Sequence, residues 1–385
     1  MIDLALLFNI FRFSYYGIFT ALHIALMLGL FLEWRREKKA LKNTGADLPA
    51  VSVIIPVRNE MDRIGILLKS IETQDYPGAE FIFVDDMSTD GTAEMIAASV
   101  KMKGAAIKII TLKENSGLNN KQFALARGIE ASSGEFLLFT DADCQIPPLW
   151  IRGMVKRMSD KTTGAAIGPV LKRSGGKGFF HLYQCYEHGV RYIYLAGAAG
   201  LGAAGGGFGN NLILRRETLD AIGGYDEIPP SPTEDAALIS KIRSSSKYKI
   251  RAALGADVHV ITQSEKTWKA MINQTLRWNN GGIFSPDPAT RLNYSFLMIT
   301  ITLGVLALPL LPFIPSIWPL PLGPLTVMIF NTIANIGLLG ASLPKRYFNF
   351  GYLLAMLFTP AYFALMTIMG FLGIKPEWKG KRVQV

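Results

Sequence analysis

The sequence EFLLFTDADC, Glu135 to Cys144, is a short apolar run that stops in two carboxylates one residue apart, Asp141 and Asp143. Phe136 to Phe139 has the length and composition of a strand buried on both faces. Ligands of open α/β sheets gather outside the carboxyl ends of the strands, so Asp141 and Asp143 are expected to face a crevice. Two carboxylates this close repel each other, and a hard divalent ion carrying phosphate oxygens relieves the repulsion. The plainer reading is a solvated turn, because Asp is a common turn residue. The stretch by itself leaves both readings open.

Upstream, strand and helix patterns alternate. Val51 to Pro56 (VSVIIP) reads as a buried strand, and Arg58-Asn59-Glu60 is expected to open a helix carrying Ile64, Leu67, Leu68 and Ile71 at helical spacing. A second strand, Glu80 to Val84, ends in Asp85-Asp86, and STDGT then supplies a turn and cap for a helix near Ala93 to Val100. A third strand, Ile107 to Leu112, leads through a polar loop to Lys121 and a helix over Phe123 to Ala131. This alternation predicts a mostly parallel sheet with helices on both faces. Three strand ends carry polar or acidic residues: Arg58 and Glu60, Asp85 and Asp86, Asp141 and Asp143. A glycine-rich phosphate loop is missing, so a nucleotide would be held by carboxylates and metal.

Downstream, a strand over Ala165 to Val170 precedes a helix over Phe179 to Leu195, whose tyrosines 183, 186, 192 and 194 would line an acceptor groove or, more commonly, pack a core. Gly197 to Asn211 (GAAGLGAAGGGFGNN) is a functional loop or a flexible linker. Thr233-Glu234-Asp235 open a helix. Carboxylates in a first turn are ordinary capping, or a base held beside a cleft. Trp268 to Trp278 is amphipathic and suits a membrane interface.

The chain has 385 residues, half of them hydrophobic, and the apolar excess lies at its two ends. One span from about Phe13 to Leu32 is followed by Trp34 to Lys39 (WRREKK), which places its C-terminal end in the cytoplasm and its basic residues among anionic lipid head groups. The run is long, lacks a basic start and has no small-residue cleavage site, which favours an anchor over a signal peptide. Further spans are expected near Tyr294 to Phe313, Leu320 to Leu339 and Tyr352 to Phe371. Lys345-Arg346 marks a cytoplasmic connector. Four spans would place the basic tail Lys375 to Arg382 on the outer side, against the charge rule, unless a proline-rich segment between Leu308 and Pro324 is re-entrant. The net charge of +10 does not indicate nucleic acid, since aromatic-basic RNA motifs and zinc-finger spacings are absent. Two cysteines, Cys144 and Cys185, make no disulfide framework. The expected organisation is an anchor over 1–40, an α/β domain over 49–265, an interfacial helix over 266–290, a membrane region over 291–374 and a basic tail over 375–385.

Four motifs occur in order: Asp85-Asp86 in VDDMSTDGT, Asp141-Ala142-Asp143, Thr233-Glu234-Asp235, and Gln274-Thr275-Leu276-Arg277-Trp278. Over about Val51 to Gly282 the chain therefore resembles the family 2 inverting glycosyltransferases of GT-A fold. The likeness is to the membrane-bound branch with cellulose, chitin and hyaluronan synthases and ceramide glucosyltransferase, whose DD, DxD, TED and QxxRW motifs these are. The resemblance implies a Rossmann-like GT-A domain in the cytoplasm between N- and C-terminal transmembrane helices. It implies that Pro56, Arg58 and Glu60 line the nucleotide pocket, Asp85 and Asp86 hold the uridine, and Lys121 lies near the donor. Asp141 and Asp143 would hold the diphosphate and a divalent metal (Mn²⁺ or Mg²⁺), with Asp143 the direct ligand. Asp235 would be the general base supported by Glu234, and Gln274, Arg277 and Trp278 would close the acceptor and diphosphate side. The chain departs from the pattern at Arg58, where an aromatic residue often stands, and at Ala126, in place of an Asn. The implied activity is transfer of a sugar from a nucleotide-sugar to a lipid or other membrane-embedded acceptor, within a phospholipid membrane. A processive polysaccharide synthase and a non-catalytic nucleotide-binding module are the alternatives.

Overall fold

A computed structural model of the chain describes residues 4–42, 48–99, 106–114, 120–173, 175–176, 178–342, 350–378 and 381–382. The expected connector Lys345-Arg346, most of the linker before Leu48 and part of the tail lie outside them. In chain order the elements are α1 (Leu4–Ala40), β1 (Val51–Val57), α2 (Ile64–Ile71), β2 (Glu80–Asp85), α3 (Thr92–Ser99), β3 (Ala106–Thr111), α4 (Asn120–Glu130) and β4 (Phe136–Phe139). There follow α5 (Trp150–Arg157), β5 (Thr163–Ile167), β6 (Val170–Arg173), α6 (Phe179–Gly200), β7 (Leu212–Arg215), α7 (Arg216–Ala221), α8 (Glu234–Ser245), β8 (Lys249–Ala252) and β9 (Val260–Gln263). The last part comprises α9 (Trp268–Ile283), α10 (Pro288–Ala307), α11 (Pro319–Leu339), α12 (Phe350–Phe371) and the short strands β10 (Glu377–Trp378) and β11 (Lys381–Arg382).

Among the described residues seven strands form one sheet in the order β3-β2-β1-β4-β7-β5-β8. Its β1–β2, β2–β3, β1–β4 and β5–β8 pairs are parallel, and β7 runs antiparallel to both β4 and β5. Alternate residues of each strand enter opposite cores: Ile54, Leu137 and Phe139 one, Val53, Ile55 and Leu138 the other. That two-sided burial explains why these strands read as continuous apolar runs. From β1 the chain steps outward to β3, then returns to the other side of β1 at β4. Strand order reverses there, so the crevice of the sheet opens at the ends of β1 and β4, beside Arg58 and Asp141.

Three local expectations are corrected. The helix expected at Arg58 begins only at Ile64, because Asn59 turns to φ +52°, outside the helical range. The strand expected over Ala165 to Val170 is two strands. Pro169 has no N–H to donate, and beyond it Val170 to Arg173 leave the main sheet to pair with β9 in parallel. The helix expected to end at Leu195 continues to Gly200, and its Tyr183, Tyr186 and Tyr192 are core residues.

Four helices, α1, α10, α11 and α12, are long and apolar enough to cross a membrane. The first runs well past the apolar stretch, to Ala40, because its last turns are part of the α/β domain. Glu37 is buried and accepts hydrogen bonds from Arg157 Nε (2.5 Å) and from the backbone N–H groups of Leu254 (2.9 Å) and Gly255 (3.1 Å). One turn earlier Glu33 accepts from the Ala252 N–H at 3.0 Å and pairs with Arg36 at 2.6 Å. The charges that follow the apolar run thus include two carboxylates turned inward.

Candidate active site

The side expected to take the donor is built from strand ends. Asp85 closes β2 and accepts from the Ser88 N–H at 3.1 Å, within a turn whose Met87 takes φ +55°. Asp86 is buried, and Arg58 at the end of β1 donates to its Oδ2 at 2.7 Å. The arginine that stands in place of an aromatic residue is therefore the partner of a buried carboxylate. Pro56 lies one strand over, opposite Val84, and Glu60 follows the turn at Asn59, its N–H donating to Thr92 Oγ1 at 2.9 Å.

Asp141 and Asp143 lie just beyond β4. The Thr262 hydroxyl, from β9, donates to Asp143 Oδ2 at 3.1 Å. Burial pushes the Asp143 pKa upward, and Asp141 and Glu60 add to the shift; Lys172 and Thr262 oppose it. Among the described residues no group of three or more His, Cys, Asp or Glu side chains is placed to hold a metal ion. A pair of carboxylates is nonetheless the donor set that suits Mg²⁺ or Mn²⁺ when substrate phosphates and water complete the shell.

Lys121, near the start of α4, joins the two halves of the site. Its ammonium lies 2.9 Å from Asp141 Oδ1 and 3.1 Å from Glu234 Oε1. Burial alone would lower its pKa, but Asp141 and Glu234, with Asp235 behind them, outweigh that and hold it above the ordinary lysine range. Glu234 is the first residue of α8 and Asp235 the second, with Thr233 as N-cap. Asp235 accepts from the Gly209 N–H at 2.8 Å and from the Ala236 N–H at 2.8 Å. Its pKa is pushed up to about 6, first by burial and then by Glu234, against the opposing pull of Lys121 and the two N–H groups. The glycine-rich stretch earns its composition here: a Cβ on Gly209 would stand 3.2 Å from that of Asp235, tighter than ordinary van der Waals contact.

Helix α9 closes the other side. Gln274 donates to Glu265 at 2.9 Å and accepts from Lys172 Nζ at 3.1 Å. Arg277 donates to the Pro232 carbonyl at 2.6 Å, which grips the segment just before the α8 cap. One turn on, Gly281 faces the Thr233 hydroxyl so closely that an added Cβ would collide with it. The Trp278 ring sits 5.4 Å from that of His188 and is covered by the Arg191 guanidinium at 5.3 Å.

The structure thus gathers Asp141, Lys121, Glu234 and Asp235 in one network and links Gln274 to the Asp143 side through Lys172. Arg277 is joined to the α8 approach, while Asp85, Asp86 and Arg58 form a separate cluster at the neighbouring strand ends. Sequence reasoning missed Lys172 and Thr262, and it missed the buried Glu187 and His188 and the half-buried Arg191 of α6. A lysine inside the apolar run VLKR, and three ionisable residues on a helix otherwise read as core, were the available signals.

This fold and site define a class: a GT-A α/β domain carried by apolar membrane helices. Residues 52–223 match Glycosyl transferase family 2. The structure is similar to that of the mannosyltransferase PcManGT from Pyrobaculum calidifontis in complex with GDP-Man and Mn²⁺, with a TM-score of 0.52 and 20% identity, over 94% of this chain and 99% of that one. Among curated relatives, the beta-monoglucosyldiacylglycerol synthase of Nostoc sp. (strain PCC 7120) is 26% identical over 308 residues, which are 77% of this chain and 64% of that protein. The undecaprenyl-phosphate 4-deoxy-4-formamido-L-arabinose transferase of Serratia proteamaculans is 36% identical over 112 residues, 28% of this chain and 32% of that protein. The match covers the part of the chain from β1 to α7, the fold is that of GT-A proteins, and the described residues add four helices long and apolar enough to cross a membrane.

Proposed function

We propose that this protein transfers a sugar, with inversion, from a nucleotide-sugar to a hydroxyl group of a lipid or other membrane-embedded acceptor. The observation that carries the reading is the Lys121 bridge, in which one ammonium contacts both Asp141, beside the donor carboxylates, and Glu234, beside the candidate base. An in-line displacement needs a proton acceptor on one side of the sugar and charge compensation on the other, held in fixed relation. Lys121 supplies that relation.

In this reading Asp85, Asp86 and Arg58, with Pro56 and Glu60, bind the nucleoside. Asp141 and Asp143 would hold Mn²⁺ or Mg²⁺, which when bound would offset the charge on the departing diphosphate. Asp235 takes the acceptor hydroxyl proton as that oxygen bonds to the anomeric carbon. The bond from that carbon to the diphosphate oxygen breaks, and its electron pair leaves with the nucleoside diphosphate. A carboxylate whose pKa is near 6 is ionised at neutral pH and more basic than an exposed aspartate, which suits this task. Glu234 orients Lys121 and raises the basicity of Asp235, while Gln274, Arg277 and Trp278 bound the acceptor side. The membrane helices favour a lipid acceptor, as do the names of the two relatives, one a diacylglycerol glucoside synthase and one a polyprenyl-phosphate transferase. Basic residues after the first apolar run favour a catalytic domain on the cytoplasmic side of the cell membrane.

The test is a donor screen on the full chain in lipid, with labelled UDP- and GDP-sugars and Mn²⁺ or Mg²⁺, followed by extraction into organic solvent. Label in the lipid fraction that disappears on chelation and in Asp235→Asn is the expected result. Label confined to growing water-soluble or insoluble chains would replace this reading with polymer synthesis. Donor binding without transfer to any lipid class would favour the non-catalytic module.

A further inference from the structure

The helices α1, α10 and α11 each meet the α/β domain at one end only. Glu33 and Glu37 fix one end of α1, while Arg12 at the other contacts the Ser316 carbonyl and Phe13 packs on Trp318. Thr290 of α10 lies 3.1 Å from Ser240 of α8, and its far half meets Tyr15 and Pro324. Helix α11 begins beside Phe19 and ends where Asn335 donates to the Tyr186 carbonyl at 3.3 Å; the Ser342 hydroxyl just after it lies 2.6 Å from His259.

Helix α12 is different. At 1.5 Å per residue its 22 residues extend about 33 Å, enough to cross a bilayer. Yet it touches the domain along its whole length. Near its start the Tyr352 ring packs on Tyr186 of α6 at 4.9 Å. Phe358 packs on Tyr183 of α6 at 4.9 Å and on Trp268 of α9 at 6.0 Å, and the Tyr362 hydroxyl donates to Thr275 at 3.0 Å. Further on, Phe363 lies under the Arg191 guanidinium at 5.0 Å, and the Met366 carbonyl accepts from Asn279 at 3.2 Å. At its end Gly370 abuts Asn280. Advancing along α9 from Trp268 to Asn280 therefore matches advancing along α12 from Phe358 to Gly370, so the two helices run side by side in the same direction. Beyond Gly373, at φ +72°, the chain turns back along α9, where the Glu377 N–H donates to Asn273 at 3.2 Å.

The face of α12 turned away from the domain is continuous and apolar: Leu353, Leu354, Leu357, Leu365, Ile368 and Phe371 are all exposed. We propose that α12 does not cross the membrane but lies in its plane beneath the domain, with this face set into the acyl region of the adjacent leaflet. Its domain-facing side takes the place of the polar face that interfacial helices usually turn to water. The occupant of the stripe is bilayer lipid, because α12 packs on the membrane helices α10 and α11 and its exposed stripe carries no charge. The chain then crosses three times. Both ends of α12 stay on the catalytic side, together with Trp34 to Lys39, Lys345-Arg346 and the tail from Lys375 to Arg382. All three basic segments obey one charge rule, which four crossings would violate at the tail.

The test uses the full chain in liposomes and does not depend on transferase activity. Single cysteines at Leu353, Leu357, Leu365 and Ile368 are labelled with an environment-sensitive fluorophore and quenched by lipids carrying spin labels at graded depths. Both native cysteines are buried, and the unsubstituted chain gives the background. The expected result is one shallow depth for all four, about 5–10 Å below the head groups, whereas Leu325→Cys, Ile329→Cys and Ile336→Cys on α11 differ strongly in depth. A profile on α12 that deepens to the middle and rises again would overturn the proposal. Sidedness gives a second readout: a membrane-impermeant maleimide should label a cysteine added after Val385 from the same side of the bilayer as Glu72→Cys of the domain. Labelling from the same side as Phe313→Cys of the far loop instead would overturn it as well.

Discussion

The proposed donor half of the site and the proposed base half are made differently. Asp85, Asp86, Asp141 and Asp143 stand where β2 and β4, the strands on either side of β1, stop, so a few consecutive residues fix each one and the sheet order aligns them. Asp235 has its position set by contacts far away in sequence: Gly209 against its carboxylate, Lys121 behind its neighbour Glu234, and Arg277 and Gly281 of α9 against Pro232 and Thr233. A site of this kind can keep its donor grip while losing its alignment for transfer. The two halves should therefore fail separately.

The sharpest way to break that contrast is to remove one function from each half. Asp235→Asn is expected to lower kcat by about 10²–10⁴-fold with donor affinity nearly unchanged. Asp143→Asn should instead weaken donor binding and abolish its response to Mn²⁺, read by calorimetry with and without the ion. Equal loss of donor binding in both variants would show that the halves are one unit. Next in size, Gly281→Ala presses a methyl group onto Thr233 and should lower kcat by about 10–100-fold at constant donor KM.

pH sharpens the comparison further. Asp235 must be ionised to accept a proton, so kcat should rise with pH through about 6 and level off above it. Lys121 favours the ionised form, so in Lys121→Met the midpoint should move to higher pH; a midpoint that stays or falls would contradict the bridge. The smallest effect on chemistry is expected at the membrane junction. Glu37→Ala removes the acceptor shared by Arg157 and two backbone N–H groups, and should cost about 3 kcal/mol of stability, seen as a lower Tm, with donor KM close to that of the unsubstituted chain.

The same contrast explains what was legible in the sequence. Strands buried on both faces have a pattern that short windows capture, so β1, β2 and β4 and the acids at their ends were readable. The end of β5 was not, because Pro169 sends the chain from one sheet to another and only the pairing partner β9 reveals it. Lys172 and Thr262 reach Asp143 from that second sheet, across about 30 and 120 residues of chain, which no local pattern encodes. Glu33 and Glu37 were masked for a related reason: they sit at a basic flank that reads as lying among lipid head groups, and only the docked β8 end turns them inward.

The most direct test of the central claim is the anomeric configuration of the product, read by NMR on the glycosylated acceptor made from the donor that the screen identifies. A single displacement with Asp235 as the base predicts inversion, a β-linkage from an α-linked donor. Retention of the donor's configuration would contradict the account.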